Sequence, residues 1–222
     1  MDAQDFFPSF TAARPQAFFR TLGYPESVAD LLTGLCTNVA PRNLWTSLSP
    51  TDRSRLRPSI DLYTRTHLPQ GVPTSPALAN CLSYRMDCRL TGLAASAGAT
   101  YTRYADDLAF SGGPDFARVI STFATHVAAI LHEEGLAVYH RKTRIMRQGV
   151  RQYLAGIVVN RHLNLPRPDF DRLKATLTNC LHYGPSTQNR EAHPDFRSHL
   201  EGKLSFAKMV NPAKAKRLAK NL

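Results

Sequence analysis

The chain has 222 residues, 28 of them Lys or Arg and 17 Asp or Glu, for a formal net charge of +11. Apolar residues make up 43%, enough for a core, while 15 Pro and 12 Gly argue against a fibrous protein. No run approaches the roughly 18–20 apolar residues of a membrane span, and the opening Met1-Asp2-Ala3-Gln4-Asp5 lacks a signal peptide's basic leader and apolar stretch.

In chain order, Ala3–Phe10 reads as a strand end followed by a turn at Pro8-Ser9. Helices are predicted over 12–22 and 26–36, the second with Ser27 as its cap. Residues 38–74, rich in Pro, Arg, Ser and Thr, read mostly as loop with a short helix after Ser49-Pro50. Ser75 opens one long helix, marked by the stripe Leu78, Leu82, Met86, Leu90, Leu93 and Ala97 and ended by Gly98. Thr100–Tyr104 and Leu108–Ser111 read as a hairpin around an acidic turn. Gly113-Pro114 starts a helix whose stripe runs from Phe116 to Leu131, and Gly135 closes it. Strands are predicted at 143–147 and 152–160, then helices at about 167–182, 196–209 and 212–221. A boundary near residue 160 divides a mixed part, 1–160, from a helical tail, 161–222.

Charge follows that division. Residues 1–137 hold 11 basic and 12 acidic side chains, whereas 138–222 hold 17 and 5. A positive face joined to a neutral body is the footprint of nucleic-acid binding. Asn211–Leu222 carries neither Trp nor Phe, so a membrane-surface helix is disfavoured. Cys36, Cys81, Cys88 and Cys180 form no Cys-x-x-Cys pair and are expected to be reduced, mostly buried thiols in a cytoplasmic protein.

The sharpest local feature is Tyr104-Ala105-Asp106-Asp107, two adjacent acids where two strands turn. Close carboxylates raise each other's pKa unless a cation intervenes, and a hard divalent ion such as Mg²⁺ takes oxygen ligands. If the strand that opens the chain lies beside this hairpin, Asp2, Asp106 and Asp107 converge. Three carboxylates can hold two metals roughly 3.5–4 Å apart, the arrangement of in-line phosphoryl transfer. Asp5 is the alternative ligand, but its odd offset from Asp2 points it to the other face of a strand.

Asp2–Phe10, Gln70-Gly71-Val72-Pro73-Thr74-Ser75-Pro76 and Thr102–Leu108, in this order, resemble motifs of bacterial reverse transcriptases, most nearly the retron type. Arg141–Arg144, Tyr153–Asn160, Leu200–Phe206 and Val210-Asn211-Pro212 resemble later blocks. The resemblance implies an α+β fold: a right-hand polymerase palm, an antiparallel sheet with packed helices, over 1–160, and a small basic helical thumb over 161–222. It implies RNA-directed DNA polymerase activity, extending a primer 3′ or 2′ hydroxyl on an RNA template. Asp2 and Asp106 match the carboxylates that bind both Mg²⁺ ions (Mn²⁺ is the alternative), with Asp107 the third acid. Ala3 matches a backbone position near the incoming triphosphate, and Phe7 the bulky gate beneath the incoming sugar. Gln70 and Gly71 match the loop along the nascent base pair, and Lys142 a basic residue near the pyrophosphate. Lys203, Lys208, Lys214, Lys216, Arg217 and Lys220 match a thumb that grips duplex phosphates. Tyr104 is expected to pack beside the metals rather than react.

The implied partners are an RNA template, a DNA or RNA primer and dNTPs, extended for retrons by a structured non-coding RNA and an effector protein. The family's fingers region precedes the motif that begins here at Asp2, so the expectation is a palm–thumb portion whose fingers lie elsewhere or are lost. Leu154-Ala155-Gly156 departs from the Val-Thr-Gly that retron enzymes tend to show. Two other functions stay open: a non-catalytic RNA-binding palm–thumb fragment, and a metal-dependent nuclease, in which Phe7 and the Gln70-Gly71 loop have no evident task.

Overall fold

The computed structural model describes residues 1–219. The chain forms two compact units, Met1–Arg144 and a second that begins at Ile145.

The first unit opens with β1 (Ala3–Gln4), α1 (Ala13–Thr21) and α2 (Glu26–Cys36). Extended Pro25 sets the start of α2 and no side chain caps it, so Ser27 lies inside the first turn and is not the cap. α3 (Pro50–Tyr63) runs 14 residues, longer than the short helix expected. Ser49 caps it, its Oγ accepting from the Asp52 N–H at 3.1 Å. None of its residues is buried, so no apolar period marked its length. The rest of 38–74 is not free loop. His67 exchanges two backbone hydrogen bonds of 2.9 Å with Asn38, and the Leu68 N–H donates to the Phe10 carbonyl at 3.1 Å.

The single helix expected after Ser75 is two, α4 (Thr74–Leu82) and α5 (Tyr84–Ser96). At Ser83 the backbone opens to ψ −3° and breaks the helix for one residue. The stripe still faces inward: Leu78, Met86, Leu90 and Ala94 are buried. β2 (Ala99–Tyr104) and β3 (Asp107–Gly112) pair antiparallel with Tyr104 opposite Asp107. α6 (Pro114–Glu133), with Pro at its first turn, buries Phe116, Phe123, Val127 and Leu131. β4 (Ala137–Val138) then pairs antiparallel with β1, Ala3 opposite Val138. The strand expected at 143–147 is absent. β4 already fills that edge of β1, and the chain leaves it through a 3₁₀ turn at His140–Lys142. The core of this unit includes Phe10, Leu68, Leu90, Leu108, Val127 and Leu131.

In the second unit the strand expected over 152–160 is a hairpin, β5 (Tyr153–Leu154) with β6 (Ile157–Val158). Its two-residue loop places Ala155 at φ +46° and Gly156 at +84°, the pattern of a type I′ turn. α7 (Arg167–Tyr183), α8 (Phe196–Val210) and α9 (Pro212–Ala219) follow, packed around Leu173, Leu177, Leu200, Ala207, Ala215 and Leu218. The division falls ahead of residue 160 because the hairpin belongs with the helices. Val158 bridges to Asn164, and the Asn211 amide donates to the Leu163 carbonyl at 3.1 Å and to Asn164 Oδ1 at 2.9 Å.

The four cysteines are free, but Cys81 and Cys88 are exposed on α4 and α5 rather than buried as expected. Their positions fall outside the inward stripe of those helices. Among the described residues no helix is long and apolar enough to cross a membrane.

Candidate active site

β1 is the spine of the site. It pairs with β4 on one side, and on the other Asp2 bridges to Asp107 in antiparallel register. The Ala3 N–H donates to the Asp106 carbonyl at 2.9 Å, and the Leu108 N–H to the Met1 carbonyl at 2.8 Å. The Tyr139 N–H donates to the Asp2 carbonyl at 2.8 Å from the β4 side. Directly opposed residues of an antiparallel pair lie roughly 4.5–5.5 Å apart at Cα. The backbone of the first acid of the chain is therefore laddered directly to Asp107 of the hairpin.

The tip is a two-residue loop, Ala105-Asp106, with Ala105 at φ +51°. A residue with a Cβ in this left-handed region costs roughly 1–2 kcal/mol, so surrounding contacts must hold it. One is the Ala3–Asp106 bond. Another comes from Arg103, whose Nη1 donates to the Ala105 carbonyl at 3.0 Å.

The electrostatics are those of crowded acids. Burial, and then the nearby charges of Asp2 and Asp107, push the Asp106 carboxyl above the usual range, while its own backbone N–H and Lys142 pull the other way. Asp2 is only 5% exposed. The Lys142 ammonium sits 3.0 Å from Asp2 Oδ2, and that hydrogen bond, with the added charges of Asp106 and Asp107, holds it above the usual lysine range. Its 3₁₀ turn after β4 delivers it to this point.

Three hard carboxylates, Asp2 and Asp107 facing across the ladder and Asp106 in the adjoining loop, fit a Mg²⁺ or Mn²⁺ site by donor chemistry. As they stand, no three acid, His or Cys side chains among the described residues close on a common point. Lys142 supplies the cation beside Asp2.

Asp5 is turned away from this cluster. Its backbone is at φ +46°, and its Oδ2 accepts from the Ser59 hydroxyl of α3 at 2.7 Å. Ala3 is buried on β1. Phe7 is half-buried, its ring edge-on to Phe6 at 5.4 Å, and Phe6 in turn packs on Phe10 at 5.0 Å. Gln70 and Gly71 are exposed, with Gly71 at φ +85°, a conformation that glycine adopts without strain. Tyr104 does not pack at the site: it is 76% exposed at the hairpin tip. A strand's alternation sends it to the face opposite that of Arg103.

In the second unit Lys203, Lys208, Lys214, Lys216 and Arg217 are all exposed on α8 and α9, whose apolar positions face inward. Lys214 lies 5.5 Å over the Phe170 ring. Lys220 lies outside the described residues.

Beneath the tip lies a half-buried polar network that no short sequence motif announces. Arg103 Nε and Nη2 donate to Asp87 Oδ1 and Oδ2 at 2.9 and 2.7 Å, and the Tyr101 hydroxyl donates to Asp87 Oδ1 at 2.7 Å. Burial, followed by the Asp87 bond, raises the Tyr101 hydroxyl well above the usual tyrosine range. The available signal was the alternation of β2, which places Tyr101 and Arg103 together on the inward face, where an arginine demands a partner.

The sequence model of the family described as reverse transcriptase (RNA-dependent DNA polymerase) matches residues 28–176, more than half of the chain. The chain is 40% identical over 220 residues to the Retron Mx65 reverse transcriptase of Myxococcus xanthus, covering 99% of this chain and 48% of that relative. It is 33% identical over 232 residues to the Retron Mx162 reverse transcriptase of the same organism, covering 97% and 45%. To the Retron Ec86 reverse transcriptase of Escherichia coli it is 29% identical over 219 residues, covering 98% and 57%. The chain thus spans about half the length of the curated relatives it matches. With the acid pair of the hairpin laddered against Asp2, the matches establish that this chain belongs to the reverse transcriptase family, retron type.

Proposed function

We propose that this chain carries the palm and thumb portions of an RNA-directed DNA polymerase that extends a primer 3′ or 2′ hydroxyl on an RNA template. The observation that carries the reading is the ladder joining Asp2 to Asp107, with Asp106 between them in the same field of charge. Asp2, Asp106 and Asp107 would hold two divalent cations, Mg²⁺ or Mn²⁺, which when bound activate the attacking hydroxyl and neutralise the leaving pyrophosphate.

The protein's own groups supply position, exclusion and protons. The buried β1 strand fixes Asp2 and presents the Ala3 backbone beside the triphosphate. The Phe7 ring, wedged on Phe6, lies beneath the incoming sugar, where a 2′-hydroxyl collides with it. Gln70 and Gly71, exposed just past the Leu68–Phe10 hydrogen bond, track the nascent base pair. Lys142 keeps its proton at neutral pH and delivers it from Nζ to the pyrophosphate oxygen. Lys203, Lys208, Lys214, Lys216 and Arg217 contact duplex phosphates as a group. A structured non-coding RNA and an effector protein are further proposed partners, carried over from the motif resemblance.

Primer extension tests the reading. With an RNA template, an annealed primer, dNTPs and Mg²⁺ or Mn²⁺, the wild type yields cDNA and Asp106→Asn lowers the rate by at least about a thousandfold. Absence of cDNA from the wild type, or its persistence in the variant, overturns it. A non-catalytic RNA-binding role draws on one observation, that Lys142 rather than a closed acid cage meets Asp2. That role predicts salt-dependent RNA binding, indifferent to Asp106→Asn, from a wild type that makes no cDNA.

A further inference from the structure

The hairpin tip rests on a group that takes no part in the mechanism above. The Arg103 side chain is only 8% exposed, an unusual place for a guanidinium. Its fork is fixed on Asp87 of α5 by the two bonds of 2.9 and 2.7 Å, a bidentate pair that sets the plane of the group. The Tyr101 hydroxyl braces the same carboxylate, and the Phe6 ring lies 5.7 Å beneath the guanidinium. With the plane so fixed, the remaining nitrogen, Nη1, reaches two acceptors, Asn80 Oδ1 of α4 and the Ala105 carbonyl, each at 3.0 Å.

The Ala105 carbonyl is the informative contact. It belongs to the one residue of the tip with positive φ, at +51°, and to the peptide group that leads into Asp106. The carbonyl of Asp106 itself accepts from Ala3. The peptide planes on both sides of Asp106 are therefore clamped, one by the spine strand and one by Arg103. A strained conformation persists only where its surroundings over-determine it.

From this geometry we infer that Arg103 is a positioning residue, which locks the Ala105–Asp106 peptide so that the Asp106 carboxylate faces Asp2 and Asp107 for divalent-cation binding. The inference rests on the polymerase reading for its chemistry, but its geometry does not. Asp87 acts through Arg103, and neither residue touches substrate. Lysine in place of Arg103 keeps the charge and loses the fork, so it cannot hold Asp87 and the tip carbonyl together.

The test uses the full chain and four variants, Arg103→Lys, Asp87→Asn, their double, and Arg103→Lys with Ala105→Gly. Mn²⁺ binding to the free protein is read by electron paramagnetic resonance, kcat and the dNTP KM by primer extension, and folding by the thermal midpoint. Arg103→Lys and Asp87→Asn each weaken Mn²⁺ binding and lower kcat by about ten- to a hundredfold, with KM changed less than about twofold. The double variant is no worse than either single, since both break one unit. Ala105→Gly restores part of the loss in Arg103→Lys, because glycine holds the tip's φ without a clamp. A merely structural arginine gives no such rescue.

Wild-type Mn²⁺ binding and kcat in a folded Arg103→Lys, or failure of Ala105→Gly to restore either, overturns the inference. Should Arg103→Lys unfold, Asp87→Asn, which keeps the shape of the side chain, carries the same expectation and the same refutation. The two readings fail separately. A wild type that makes no cDNA yet binds Mn²⁺ in an Arg103-dependent way refutes the polymerase and supports the clamp, whereas equal cDNA from wild type and Arg103→Lys does the reverse.

Discussion

Asp106 carries its charge against its surroundings. Burial and two neighbouring acids raise its pKa, so the ionised form is the one the fold disfavours. An acid whose folded pKa is raised contributes stability below its unfolded pKa and loses it as pH climbs through the folded value. Asp106→Asn in metal-free protein should therefore raise the thermal midpoint at neutral pH by about 1–2 °C, allowing for solvent screening of a half-exposed group. The gain should vanish below about pH 4, where the wild-type carboxyl is protonated. Calorimetry of the two proteins between pH 4 and pH 8 checks this; a variant less stable than wild type at pH 7 contradicts it. At the same scale, Phe7→Val should admit ribonucleotides by about tenfold or more in relative kcat/KM, measured by rNTP against dNTP incorporation. These residues were legible as candidates in the sequence because short blocks in order mark them. Arg103 was not, because its role depends on where Asp87, a helix residue sixteen positions earlier, comes to lie.

At the scale of elements, the amphipathic pieces were readable and the non-periodic ones were not. α6 declares itself through Phe116, Phe123, Val127 and Leu131, all facing the core. α3 declares nothing, because every residue of it is partly or fully exposed and its start depends on the Ser49 cap. β4 has two residues, too few for an alternating pattern, and exists only because β1 offers an edge. The hairpin of the second unit was hidden inside an apolar run, and the turn that bends it is Ala155-Gly156. Two substitutions follow. Leu131→Ala, at a fully buried position, should destabilise the first unit by about 2–5 kcal/mol in urea unfolding. Gly156→Ala, at φ +84°, should cost the second unit about 1–2 kcal/mol. A shift under a few tenths of a kcal/mol at Leu131 contradicts the core assignment.

At the scale of the whole molecule, the charge asymmetry legible from composition survives in the structure as exposed basic side chains on α8 and α9 over a small apolar core. If those side chains meet phosphates, neutralising Lys203, Lys208, Lys214, Lys216 and Arg217 together should reduce the slope of log affinity for an RNA–DNA duplex against log salt by up to about four. Fluorescence anisotropy over a salt series measures that slope, and an unchanged slope removes the thumb-grip proposal. The division of the chain ahead of residue 160 was not legible, because the ties that draw the hairpin to the helices pass through Asn164 and Asn211, 47 positions apart. Catalysis by this chain depends most on one spatial claim, that Asp2, Asp106 and Asp107 together form one site for the two cations. Anomalous diffraction from crystals soaked in Mn²⁺ tests it directly. The account predicts Mn²⁺ bound by these three carboxylates, with the Lys142 ammonium withdrawn from Asp2; Mn²⁺ found elsewhere, with Lys142 still on Asp2, would contradict it.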